Sequence, residues 1–213
     1  MTPTYNRPDL ARFVALQMQN QSVKPDILCI HQNGTSESYE WSVEDVSADF
    51  HIKWIHTPDR IEQEQWYGIP LGHLVESGCD YFFWSDHDDI YSRDYIERGL
   101  SSLVLGFYDC SVNTRSGVLF LKASQYAYNP DFRFTAHCPG GVSSSLCFNR
   151  AFAEQLLIDF DDNLKSSDRN PYADQVVGRV TMKKFRCLLN AETPTTVYVA
   201  HARAFTSSHW VKE

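Results

Sequence analysis

The sequence has no excess of basic residues: 19 Lys and Arg stand against 27 Asp and Glu, a formal charge of −8. Non-specific binding to nucleic acid or to an anionic membrane needs a basic face, so both are disfavoured. Long apolar runs are also missing. Tyr81 to Trp84 and Val118 to Leu121 are among the longest, far below the ~18 residues of a membrane span. Met1 to Arg7 carries no apolar signal-peptide core. The six cysteines (Cys29, Cys79, Cys110, Cys138, Cys147, Cys187) form no Cys-x-x-Cys pair and no zinc spacing. Several sit inside apolar runs, where a free thiol behaves as a small hydrophobe. These absences together describe a reduced, soluble, cytoplasmic protein. Repeats and low-complexity tracts are absent too.

What is present fits one globular domain. Apolar residues make up 43% of the 213-residue chain and charged residues 22%, which excludes a disordered or collagen-like polymer. A chain this long buries about 70% of its unfolded surface. Aromatics reach 14%; their flat faces and polar tips suit sugar and base contacts as well as ordinary cores.

Along the chain, Leu10, Phe13, Val14 and Met18 mark one helical face, with Asn6 as expected cap and Pro8 and Asp9 in the first turn. Asp26 to Ile30 reads as a buried strand stopped by Asn33-Gly34, and Phe50 to Ile55 as another. A helix is expected over Arg60 to Ser77 with Gly78 just past its end. A third strand, Asp80 to Trp84, and a helix, Asp94 to Leu105, follow. This alternation implies an α/β fold with a mostly parallel sheet covered by helices on both faces. Further on, Ser116 to Lys122, Ser143 to Phe148 and Thr195 to Ala200 read as strands, and Arg150 to Leu157 and Tyr172 to Lys184 as helices.

The chemistry-bearing segment is Asp86-His87-Asp88-Asp89, directly after a buried strand. Ligands of open α/β sheets sit beyond the carboxyl ends of the strands. In extended chain Asp86 and Asp88 point to one side and Asp89 to the other. Carboxylates this close repel one another, and a divalent cation compensates them; oxygen ligands suit Mg²⁺ or Mn²⁺, and an imidazole nearby favours Mn²⁺. A solvated acidic turn leading into the next helix would carry the same residues.

Pro3-Thr4-Tyr5-Asn6-Arg7, followed by Trp84-Ser85-Asp86-His87-Asp88-Asp89-Ile90-Tyr91, resembles the inverting, nucleotide-sugar-dependent glycosyltransferases of the GT-A fold, family 2. Gly140 to Arg150 is similar to that family's acceptor-side segment, and Ala173-Asp174-Gln175 falls where the family places its catalytic carboxylate. The resemblance implies a single GT-A domain over residues 1–213, with 1–100 as the nucleotide-sugar half and 101–213 as the acceptor half. It implies a sugar moving from a nucleotide-diphosphate sugar to an acceptor hydroxyl (a glycan, a lipid-linked sugar or another) with inversion. Asp86 and Asp88 would hold Mn²⁺ or Mg²⁺ against the leaving diphosphate, Asp174 would accept the acceptor's proton, and His201 is the preferred further metal ligand over His209. Thr4, Tyr5, Arg7, Arg60 and Asp86 would line the donor. His137 is a candidate for the acceptor side, and His87 a spacer.

Two departures from the family pattern stand out. An Asp usually ends the second strand and accepts the N–H of uracil; here His31-Gln32-Asn33-Gly34 offers only the amide oxygens of Gln32 or Asn33. UDP is the default carrier. The first strand is also short, which predicts incomplete pairing there. Among competing readings, a glycosidase would need no metal and no nucleotide pocket. A nucleotidyltransferase would need a Gly-rich phosphate loop, yet residues 1–33 contain no glycine. The alternative to an enzyme is a non-catalytic carbohydrate- or nucleotide-binding protein that kept the fold.

Overall fold

The structure is a computed structural model that describes residues 1–46, 49–113, 115–122, 125–133, 143–168, 172–190 and 195–201. His137, His209 and Gly140 to Val142 lie outside the described residues. The chain runs β1 (Thr2–Thr4), α1 (Pro8–Gln19), β2 (Ile27–Asn33), β3 (His51–Thr57), α2 (Gln63–Glu76), β4 (Tyr81–Phe83), β5 (Ile90–Tyr91) and α3 (Tyr95–Val104). It continues through β6 (Cys110–Asn113), β7 (Arg115–Lys122), β8 (Gln125–Arg133), β9 (Cys147–Asn149), α4 (Arg150–Lys165), α5 (Ala173–Arg179), β10 (Cys187–Asn190) and β11 (Thr196–His201).

β1, β2 and β3 pair in parallel, and β10-β6-β9-β4 form a mixed sheet. Met1 joins the two: its nitrogen donates to the Phe83 carbonyl at 2.8 Å and its carbonyl accepts from Ser85 N at 3.0 Å, the pattern of a parallel pair. The central sheet therefore reads β3-β2-β1-β4-β9-β6-β10. β1 is short: Thr2–Thr4 pairs with β2, and the backbone bonds on the β4 side are those of Met1. A second sheet, β5-β11-β7-β8, is attached where Asn113 leads into β7 and where Asn113 Nδ2 donates to Thr195 Oγ1 at 2.6 Å.

The period of two along each strand decides which helix covers which face. Leu28 and Ile30 of β2 pack with Val14, Ala15 and Met18 of α1 and with Ile96 of α3. Cys29 between them turns the other way, into a cluster with Leu71 and Leu74 of α2, Phe152 and Leu156 of α4, and Val176 of α5. Phe82 and Trp84 join that second cluster, while Phe83 packs on the α1–α3 side. Helices thus flank the central sheet on both faces.

Several boundaries differ from expectation. α1 starts at Pro8 with Arg7, not Asn6, in the cap position; Asn6 takes a left-handed φ of 47°, and Arg7 bonds Asp9 instead of the helix end. α2 begins at Gln63 because Glu62 and Gln65 form a reciprocal capping box. Ser143 to Ser145 is a 3-10 turn, and β9 starts only at Cys147. α4 runs on to Lys165, while α5 stops at Arg179 and passes into a separate 3-10 turn, Thr181–Lys184.

Candidate active site

The carboxyl ends of β1, β2, β3 and β4 lie side by side, with several of the expected site residues at them. Thr4 ends β1, Asn33 ends β2, and the acidic segment leaves β4. The chain does not stay extended through that segment: it turns at His87-Asp88 before entering β5. His87 Nδ1 is 2.9 Å from the Pro3 carbonyl, which ties the turn to β1. Asp89 is 1% exposed, with its carbonyl taken by Gln17 Nε2 at 2.9 Å. The other end of the same amide, Gln17 Oε1, accepts from Tyr91 N at 2.8 Å. Asp89 therefore belongs to the wall of the turn, and Asp86 and Asp88 form its open side.

Asp86 continues the parity of Phe82 and Trp84, which puts its side chain under α2. There its Oδ1 accepts two hydrogen bonds, from Tyr67 Oη at 2.7 Å and from Trp84 Nε1 at 3.3 Å. The Tyr67 ring lies against the Trp84 indole, 3.8 Å between centroids. Burial raises the Asp86 carboxyl to about 7, and the negative charge of Asp88 adds to it; the Tyr67 and Trp84 hydrogen bonds oppose the rise, and Asp174 adds a further push. Tyr67 feels both Asp86 and Asp174, and its phenol is held protonated, chiefly by burial. Asp174, in the first turn of α5, is near enough for its charge to act on both groups.

α2 brings the two sides together. Gln63 Oε1 accepts from Ala173 N at 3.2 Å, fixing the start of α5. Buried Glu64 accepts from Asn163 Nδ2 at 2.6 Å, fixing the end of α4. Tyr67, four residues after Gln63 and so on the same helix face, reaches Asp86. Sequence reasoning missed these three. An aromatic on an amphipathic helix reads as core, and only the parity of β4 hints that a polar group waits beneath it.

On the donor side, Thr4 Oγ1 lies 3.0 Å from Tyr39 Oη, so its hydroxyl is shared with the β2–β3 loop. Tyr5 is half exposed at 51%, and its ring lies over Gly34, whose φ is +74°. A Cβ at Gly34 would fall 3.0 Å from Tyr5 Cε2 and 3.6 Å from Arg60 Cβ, which places Tyr5, Gly34 and Arg60 together. Gln32 and Asn33 separate. The Gln32 amide is fully occupied by the loop: Oε1 accepts from Tyr39 N at 3.0 Å, and Nε2 donates to Thr35 Oγ1 and to the Glu37 carbonyl. Asn33 donates weakly to the Thr4 carbonyl at 3.5 Å, and its buried Oδ1 has no hydrogen-bond partner. Arg7 sits at the head of α1, paired with Asp9.

His201 is the last residue of β11, in register with Leu121. β11 is antiparallel to β5, with Thr196 opposite Tyr91, so it runs towards the side from which the acidic turn enters β5. Among the described residues no three His, Cys, Asp or Glu side chains stand close enough to form a cation cage made of protein alone. Two carboxylates, one with no donor to its Oδ2 among the described residues, suit a cation that takes its remaining ligands from water and phosphate oxygens, the usual arrangement for Mg²⁺. No helix among the described residues is long and apolar enough to cross a membrane.

No protein-family model matches the sequence, and no curated protein matches it. Among solved structures, S. aureus TarS is similar at a TM-score of 0.66 and 13% identity, over 93% of this chain and 36% of that one. S. aureus TarS 1-349 in complex with UDP gives 0.64 at 13% identity over 95% of this chain and 60% of that one. The complex of TarS 1-349 with UDP-GlcNAc gives 0.65 at 12% over 100% and 60%. The chain thus spans between 36% and 60% of these chains' lengths. Likeness at this identity shows the fold alone: the chain has the GT-A fold of these structures.

Proposed function

We propose that this chain transfers a sugar from a nucleotide-diphosphate sugar, by default a UDP-sugar, to an acceptor hydroxyl with inversion. The observation that carries the reading is the convergence of Asp174, from α5, on the Asp86–Asp88 turn after β4, in a fold whose TarS examples hold UDP and UDP-GlcNAc. Residues 1–100 form the donor half and 101–213 the acceptor half of one domain.

Tyr5 and Arg60 flank the donor at Gly34, and Thr4 and Arg7 stand at the ribose and phosphate side. Asn33 replaces the expected carboxylate: rotation of its terminal amide, a soft torsion, turns Oδ1 to the base N–H. Gln32 serves instead to hold the loop that carries Tyr39. Asp86 and Asp88 hold Mn²⁺ or Mg²⁺, with His201 as the candidate further ligand; a cation there neutralises the leaving diphosphate. Asp174 takes the proton of the acceptor hydroxyl as its oxygen attacks the anomeric carbon and the bond to the diphosphate breaks on the opposite face. The donor chemistry and the reduced cysteines both fit a cytoplasmic location.

Calorimetric titration with UDP and a panel of UDP-sugars, with and without Mn²⁺, tests the donor site, and slow donor hydrolysis reports the chemistry. Asp174→Asn keeps donor binding and loses transfer by about 10²–10⁴-fold. Retained transfer rejects Asp174 as base, and failure of every donor rejects the reading itself.

A further inference from the structure

The Asp86 carboxylate is not free to use both of its oxygens. Oδ1 already accepts from Tyr67 Oη at 2.7 Å and from Trp84 Nε1 at 3.3 Å, while among the described residues no donor reaches Oδ2. Neither donor can easily withdraw. Trp84 is 1% exposed in the core, the Tyr67 ring lies tilted against it, and α2 is pinned by Gln63 and Glu64 to α5 and α4. We infer that Tyr67 is a positioning residue that limits Asp86 to one-oxygen coordination and thereby selects a small six-coordinate cation over Ca²⁺.

The physical basis is the difference in how these cations use carboxylates. Ca²⁺ takes six to eight oxygens and readily accepts both oxygens of one carboxylate, whereas Mg²⁺ demands near-octahedral geometry with single-oxygen contacts. Two-oxygen binding at Asp86 must break a short hydrogen bond from a buried phenol to a charged group, the strongest kind of neutral-donor bond in proteins. One-oxygen binding through Oδ2 breaks nothing. The selection rests on the metal-dependent reading above.

The test uses the full chain. Binding of Mn²⁺, alone and with UDP, is followed by the electron paramagnetic resonance of free Mn²⁺, and Ca²⁺ is then titrated as competitor. Wild type prefers Mn²⁺. Tyr67→Phe keeps the ring against Trp84 and removes only the hydroxyl; the ratio of Ca²⁺ to Mn²⁺ dissociation constants falls about tenfold, the worth of one hydrogen bond to a charged group. Trp84→Phe, which removes the longer donor, moves the ratio the same way by less. A destabilised fold would weaken both ions alike and leave the ratio unchanged. An unchanged ratio in both variants, with Mn²⁺ still bound by wild type, overturns the role of Tyr67 and leaves the metal reading standing. Wild type that binds Mn²⁺ neither alone nor with UDP overturns both.

Discussion

Two glycines in helices make opposite predictions for the same substitution. Gly99 lies in α3 where the helix meets the sheet. A Cβ there would fall 2.5 Å from Phe83 Cε1 and 2.9 Å from Cys147 Sγ. Ordinary carbon contacts begin near 3.5 Å, so the overlap with Phe83 is about 1 Å. Neither neighbour can retreat: Phe83 is wedged edge-on against Tyr95 with centroids 5.5 Å apart, and the buried Cys147 thiol bonds the Ser111 carbonyl. Overpacking of this kind costs roughly 1–3 kcal/mol, and the tightness argues for the upper part of that range. Ala returns about 0.8–1 kcal/mol of helix propensity. Gly99→Ala therefore destabilises by about 1–2 kcal/mol, a melting-temperature drop of roughly 3–6 °C at this chain length. Gly72, in α2, has nothing within 4 Å of its added Cβ. The same substitution there collects the propensity alone and stabilises by about 0.5–1 kcal/mol. Urea unfolding followed by circular dichroism, with unchanged slope, measures both. If Gly99→Ala is as stabilising as Gly72→Ala, the close approach of α3 to β4 and β9 is wrong.

Other outcomes follow from single contacts. Asp109 receives the Arg186 backbone N–H at 3.1 Å, the Arg186 guanidinium, and Asn149 Nδ2 at 3.1 Å. These hold its carboxyl below the usual range, chiefly through Arg186. Asp109→Asn loses about 1–2 kcal/mol after allowance for the exposed guanidinium. Because the folded-state pKa is depressed, that advantage is full above about pH 4 and disappears as pH falls through the lowered value, so acid unfolding curves of the two proteins converge. Asn149 caps α4 through Phe152 N at 3.0 Å, and Asn149→Ala lowers stability by about 1–2 kcal/mol in the same assay. Gln63→Ala frees the Ala173 N–H; donor binding by calorimetry stays within about twofold while transfer falls about tenfold, because the start of α5 and not the donor pocket is loosened. Equal loss in both would refute that division of labour.

Much of the fold was readable because its signals are local. The apolar face of α1, the parity of β2 and the Gly78 stop after α2 each depend on residues close in sequence. Gly78 has the expected positive φ of 83°. What was missed is non-local. Cys110–Asn113 and Cys187–Asn190 are four-residue strands whose identity comes from pairing with each other across more than seventy positions. Asn6 could not be told from Arg7 as cap, since the choice rests on the turn that carries Tyr5 over Gly34. In the site, Asp86, Asp88 and Asp174 were visible as residues. Which oxygens of Asp86 are available, and which of Gln32 and Asn33 is already occupied, depends on Tyr67 and on the loop before Tyr39.

The α/β alternation, the place of an acidic turn after a buried strand, and the absence of a basic excess and of long apolar runs are legible in the sequence alone, because periodicity, turn residues and net charge act over a few positions or over the whole composition. The packing of the elements alone shows that the charge of Asp174 acts on Asp86, that Asp89 belongs to the wall of the turn, and that Tyr67 holds one oxygen of Asp86. These depend on helix α2 lying across the carboxyl end of β4, and burial there turns side chains with ordinary polarity into groups with fixed partners and shifted protonation.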